Sequence, residues 1–239
     1  MKLVMKFGGS SLSNAARIRN SSRIVQQFAR DNRIIVVVSA LGEVTDQLLE
    51  IGDLAVKGEP RRADTLRSRV QNFHSKVAKS IAVGAERKRL LDEIDRLNSE
   101  LQKTVDGVRH LREMTQRTRD YLLSFGERYA APILASALRT MGLRARSLTG
   151  GEAGITTDDR FGEAKPLIEM TYHQLRRRLE PLIGKKEIPV VTGFIASSVE
   201  GDITTLGRGG SDYTASLIGA ALETDEIWIW TDVDGLMTA

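Results

Sequence analysis

The chain contains no cysteine, which excludes disulfides, a thiolate nucleophile and zinc–thiolate sites. Aromatic residues make up only 5% of it. That is too few to interleave a basic stripe with stacking platforms, so no nucleic-acid footprint is indicated. No apolar run approaches the ~20 residues of a membrane-spanning helix, and the start, Met1 to Lys6, passes straight into a strand pattern. A cytoplasmic protein is the default expectation, with neither a membrane nor nucleic acid as partner. The G-x-x-x-x-G-K-[ST] and G-x-G-x-x-G signatures are both missing, so neither a P-loop nor a dinucleotide fold is indicated. No H-R-D or D-F-G set marks a protein kinase, and no serine-nucleophile elbow is present. The three histidines, His74, His110 and His173, lie far apart without a partner at metal-ligand spacing.

What remains is ordinary globular material: 239 residues, 41% hydrophobic and 28% charged, with 35 basic against 31 acidic side chains. One α/β core carrying an insertion suits that length. Short apolar runs read as buried strands at Leu3 to Phe7, Ile34 to Val38, Pro189 to Ile195 and Glu226 to Trp230. Between the first two, Ala15, Ile18, Val25, Phe28 and Ala29 share one face of a helix. Strand and helix in alternation predict a mostly parallel sheet with helices on both faces. From about Asp46 to Met141 the strand signal vanishes. Leu90, Ile94, Leu97, Leu101, Val108 and Leu111 follow a 3–4 spacing broken at Thr104, and a helix over Asp120 to Met141 ends at Gly142. An antiparallel helical pair packed on the sheet fits this stretch better than a coiled coil.

Three segments at strand ends carry polar chemistry. In Lys6-Phe7-Gly8-Gly9-Ser10-Ser11 the glycines allow a tight turn with bare N–H groups, and the serines offer hydroxyls and an N-cap for the next helix. With Lys6 alongside, this reads either as an anion nest or as an ordinary strand-to-helix turn. In Thr204 to Tyr213, Gly207, Gly209 and Gly210 surround Arg208, whose planar fork suits a carboxylate or phosphate. Ser211 or Asp212 then caps a helix with apolar positions at Tyr213, Leu217, Ala220 and Ala221. The third segment, Trp230 to Thr238, places Thr231 and Asp232 at a strand's C-terminal end, where open α/β sheets bind ligands.

Taken together these segments resemble aspartate kinases of the amino-acid-kinase superfamily. The resemblance extends to Ser39-Ala40-Leu41-Gly42-Glu43-Val44-Thr45-Asp46, Ser124-Phe125-Gly126-Glu127 and Thr157-Asp158-Asp159-Arg160-Phe161-Gly162, in order along the whole chain. It implies a three-layer αβα sandwich with a mostly parallel central sheet and a helical insertion over about 46–141. It further implies transfer of the γ-phosphoryl group of ATP, with Mg²⁺ on the phosphates, to the side-chain carboxylate of L-aspartate, with no dedicated protein metal site. By position, Lys6 and the Gly8, Gly9, Ser10, Ser11 nest would face the phosphates. Ser39 and Thr45 would border the aspartate site, Glu127 would take the ammonium group and Arg208 the α-carboxylate. Gly209, Gly210 and Ser211 would lie close by, Asp212 would hold Lys6, and Thr231 and Asp232 would lie on the nucleotide. Met237 stands where many relatives have an aromatic nucleotide contact.

The same resemblance carries expectations about the rest of the protein. In relatives the domain continues past the position of Ala239 with further nucleotide contacts and regulatory ACT domains. A chain that stops there is expected to be incomplete and weakly active, and the full-length protein to be a homo-oligomer. Two other readings share some of the same residues. An acetylglutamate or uridylate kinase would share the Gly-Gly nest but not Glu127, Arg208 and Asp212 in this arrangement. A non-catalytic binding module would use the helical insertion as its partner surface.

Overall fold

The computed structural model describes residues 1–231. The four apolar runs contribute β1 (Lys2–Phe7), β2 (Arg33–Val38), β5 (Ile188–Thr192) and β8 (Glu226–Trp230) to a five-stranded sheet. It is completed by β3 (Ala145–Leu148), which the sequence does not announce; β8, expected to be buried, has no buried residue. The strand order is β3-β5-β2-β1-β8, and every pairing is parallel. The two central strands are apolar without alternation because both of their faces are covered. Met5, Phe7, Ile34, Val36 and Val38 pack into one buried cluster, while Val4, Ile35 and Val37 pack into another on the opposite face. The period-2 geometry of a strand thus divides each run between two cores, giving the αβα sandwich the sequence predicts.

One face carries α1 (Ala15–Ala29) and four helices that run between β2 and β3: α2 (Val44–Val56), α3 (Pro60–Ile81), α4 (Gly84–Leu111) and α5 (Gln116–Thr140). Where a helical pair and a further helix over Asp120 to Met141 are expected, there are four helices. The stripe on α4 is also unbroken, because Val105 follows Leu101 at the 3–4 spacing and is buried where Thr104 is not; Leu111 lies outside it at 73% exposure. From Leu122 to Leu138 every residue of α5 except Arg128 is buried. This helix begins at Gln116, a turn before the expected Asp120, and Gly142 follows its end with φ +83.

The opposite face carries α7 (Ile168–Gly184) and α8 (Gly210–Leu222), through Leu175, Leu179, Ile183, Leu217 and Ile218. On α8 the buried positions depart from the expected face: Tyr213 and Ala220 are exposed, while Thr214, Ala215 and Ile218 turn inward. A small second sheet, β4 (Thr156–Thr157), β6 (Ile195–Ser198) and β7 (Ile203–Thr205), stands beside the main one, preceded by the short α6 (Gly150–Ala153). The single strand expected over Pro189 to Ile195 is in fact the end of one sheet and the start of the other. The chain turns between them at Gly193-Phe194, with Phe194 at φ +65. Among the described residues, no helix is long and apolar enough to cross a membrane.

Candidate functional site

Parallel strands deliver their C-terminal ends to one edge, and the polar segments converge there. Gly8 N donates to the Trp230 carbonyl at 3.0 Å, and Ser39 N to the Phe7 carbonyl at 3.1 Å, so the exits of β1, β2 and β8 are stitched together. Gly9 lies so close to the loop after β2 that a Cβ there would stand 2.9 Å from the Ala40 carbonyl oxygen. Its own carbonyl accepts from Gly42 N at 3.1 Å. The glycine is required by close approach of two backbones.

The serines behave otherwise than the sequence predicts. Ser10 and Ser11 form a single 3-10 turn, and α1 is capped by Asn14, whose Oδ1 accepts from Arg17 N at 3.0 Å. Ser11 Oγ lies 3.5 Å from the Trp230 carbonyl, and Ser10 lines a separate hollow with Arg17 and Phe73. Thr231 is exposed beyond the end of β8. Asp232 and Met237 lie outside the described residues.

Beneath the crossing of the β1 and β2 loops is a cleft of about 320 Å³. It is lined by Lys6, Ser39, Thr45 and Glu127 together with Arg208, Gly209, Gly210, Ser211 and Asp212. Lys6 is buried at 8% exposure, and its Nζ meets Asp212 Oδ1 at 2.7 Å as an ion pair. A buried ammonium without a counter-charge would be strongly unfavourable, so this carboxylate both neutralises and aims it. The pairing explains why Asp212 does not cap α8. That helix starts one residue after Gly209, which sits in the left-handed region at φ +73 with no side-chain cap, and Ser211 and Asp212 fall in its first turn. A carboxylate there is also favoured by the helix dipole.

Glu127 enters from α5. One oxygen, Oε1, accepts from Ala40 N at 3.1 Å; the other, Oε2, is buried and has no hydrogen-bond partner among the described residues. Burial pushes the carboxyl up to about 8, against the pull of the Ala40 N–H and of its own backbone. Gly126 lets the helix come this near, since a Cβ there would lie 2.7 Å from Ala40 Cβ. Arg208, in the same cleft, is exposed and makes no ion pair or side-chain hydrogen bond within the described residues. A buried carboxyl with an open oxygen thus shares one cleft with a guanidinium unpaired among the described residues, and the Lys6–Asp212 pair lines the same cleft.

Two residues at this site escape the sequence reading. Phe194 lines the cleft from the left-handed turn between the sheets, a strained position for an aromatic residue. Its signal was Gly193, a glycine inside an apparent strand, which marks close approach: a Cβ there would be 2.6 Å from Ser211 Oγ. The other is Asp120, buried on α5 and bonded to the strand that leads into the Arg208 loop.

The model of the amino acid kinase family matches residues 1–239. Aspartokinase 1, chloroplastic, of Arabidopsis thaliana is 37% identical over 98% of this chain and 41% of its own length. The aspartokinase of Mycolicibacterium smegmatis is 34% identical over 99% of this chain and 42% of its own. The chain therefore spans about two-fifths of the relatives it matches. Among solved structures, E. coli aspartokinase III in complex with aspartate and ADP superposes with a TM-score of 0.89 at 29% identity, over 98% of this chain and 50% of that one. Agreement of sequence and fold along the whole chain leaves one conclusion: it belongs to the amino acid kinase family.

Proposed function

We propose that this chain is the aspartate-phosphorylating part of an aspartate kinase, transferring the γ-phosphoryl group of ATP to the side-chain carboxylate of L-aspartate. The observation that carries the reading is that Glu127 and Arg208 line one small cleft. Among the described residues, Glu127 Oε2 is buried with no donor and Arg208 has no carboxylate partner. A free α-amino acid supplies both missing partners, an ammonium for the first and an α-carboxylate for the second. An N-acylated amino acid supplies only one, which sets this site apart from an acetylglutamate kinase. The likeness to a structure solved with aspartate and ADP supports the same assignment.

The chemistry asks little of acid–base catalysis. The aspartate side chain, with a reference pKa of about 3.9, arrives ionised and needs no general base. Its oxygen forms a bond to the γ-phosphorus as the bond to the bridging oxygen breaks and ADP leaves with that electron pair. The barrier lies in bringing an anion up to a polyanion, so positioning and charge neutralisation carry the rate. Lys6, held by Asp212, brings a positive charge beside the Gly8–Gly9 nest. No group of three or more His, Asp or Glu side chains among the described residues is placed to hold a metal. Mg²⁺ carried by the triphosphate would supply further neutralisation.

Hydroxylamine trapping tests the proposal. With ATP and Mg²⁺, aspartate should yield the hydroxamate, and glutamate and N-acetylglutamate should not. A preference for N-acetylglutamate, or no acyl phosphate from any acceptor, overturns it.

A further inference from the structure

Asp120 is almost fully buried, at 1% exposure, yet lies outside the proposed reaction. Its Oδ2 accepts from Thr205 N and from Gly162 N, both at 2.9 Å, and its Oδ1 accepts from Thr205 Oγ1 at 2.8 Å. Burial nevertheless raises the pKa of its carboxyl, against those three donors. Thr205 is the last residue of β7, and Arg208 follows it after Leu206 and Gly207. From there to α8 the chain is held lightly: Leu206 N donates to the Phe194 carbonyl, and Gly207 and Gly209 flank Arg208 at φ +72 and +73.

Asp120 and Glu127 are seven residues apart on α5, hence on one face and separated by about 10 Å along its axis. Every residue from Leu122 to Glu127 is buried, and the next, Arg128, fastens the helix to α4 by meeting Glu100 at 2.7 Å. One rigid element therefore carries the proposed ammonium reader directly and, through Asp120, grips the strand that presents the carboxylate reader.

We propose that Asp120 is a positioning residue for substrate selection, fixing the Arg208 loop at a set distance from Glu127. The proposal rests on the aspartate-kinase reading. What matters is the arrangement of acceptors more than the charge. An asparagine could accept both backbone N–H groups on its oxygen and donate to Thr205 Oγ1, whose proton can turn to the Gly162 carbonyl at 3.3 Å.

The test compares aspartate, its α-amide and N-acetylaspartate as phosphoryl acceptors in the wild type, Asp120→Ala, Asp120→Asn and Thr205→Val. In Asp120→Ala the kcat/KM preference for aspartate over the α-amide should fall about tenfold or more, through KM, as loss of hydrogen bonds to a charged group implies. The preference over N-acetylaspartate, read by Glu127, should hold. Asp120→Asn should restore the wild-type preference. Thr205→Val, which removes one donor without changing shape, should lose about a few-fold and tests the idea if Asp120→Ala does not fold. A purely structural role would lower activity on all three acceptors alike; unchanged preferences in the folded variants overturn the proposal. If the wild type itself shows no preference for aspartate, it is the aspartate-kinase reading that fails, and this proposal with it.

Discussion

Glu127 is a residue whose environment sets how it will work. Empty, its carboxyl is pushed up to about 8 by burial, so at neutral pH it is mostly protonated. An ammonium group binds the ionised form, and its arrival draws the proton off. Apparent affinity for aspartate should then weaken about tenfold for each pH unit below 8, because the competent fraction shrinks by that factor. The expected result is a KM for aspartate that climbs between about pH 8 and 7 while kcat stays nearly level. Glu127→Gln should raise KM at pH 8 and flatten this dependence. A wild-type KM that is constant over the same range would mean that Glu127 is already ionised in the free protein. Sequence pattern alone leads to Glu127 only through its resemblance to a family motif. Its orphaned oxygen is a property of packing, produced by α5 and the β2 loop meeting over Gly126.

At the scale of elements, the contact between α5 and the loop after β2 decides whether the site exists. Alanine is the better helix former by about 1 kcal/mol, so Gly126→Ala should stabilise an isolated α5. In the protein a Cβ there would fall 2.7 Å from Ala40 Cβ and force the helix off the loop. Overpacking of this kind costs about 1–3 kcal/mol, so crowding wins. Gly126→Ala should lower the urea midpoint and raise KM for aspartate; a raised midpoint would show that the loop yields. Ile34 to Val38 reads correctly because a continuous apolar run is covered on both faces. By contrast β3, Ala-Arg-Ser-Leu, offers no such run and escapes the reading, and Glu226 to Trp230, read as buried, leaves Ile227 and Ile229 exposed. The edges of the reading failed for local reasons. Thr104 looks like a break in α4 only until Val105 is counted. Asp212 looks like a cap only until Lys6, more than 200 residues earlier, is seen to need it. The turn at Phe194 hides inside a strand-like run, and the second sheet is made of strands too short to signal themselves. Asp120 carries no local signal at all, since its three donors come from two distant segments.

For the whole molecule, two buried groups set opposing responses of stability to pH. His74 lies fully buried in the helical layer, stacked on Tyr129 at 4.2 Å, with Nδ1 on the Val70 carbonyl at 2.7 Å and Nε2 unpartnered among the described residues. Burial lowers its pKa from 6.5 to about 4. Between those values the unfolded chain holds a proton the folded one does not, so His74 makes stability fall as pH drops. Glu127 acts in reverse. Its folded pKa of about 8 against an ordinary 4.5 means that the folded chain holds the extra proton, so stability falls as pH rises through that interval. From about 4.5 to 6.5 the two slopes cancel; above 6.5 only the Glu127 slope remains. At about 1.4 kcal/mol per unit, the rise from pH 6.5 to 8 should remove on the order of 2 kcal/mol. Urea midpoints at pH 6 and 8 measure this directly. The wild type should lose stability across the interval, and Glu127→Gln should lose much less. His74→Leu should lose somewhat more than the wild type, because the compensating slope between pH 6 and 6.5 is gone. Saturating aspartate should offset the loss most at pH 8, because only the ionised carboxylate pairs with its ammonium group. A wild type and Glu127→Gln that decline in parallel would locate the alkaline response elsewhere. They would also remove the buried proton on which the pH dependence of substrate binding rests.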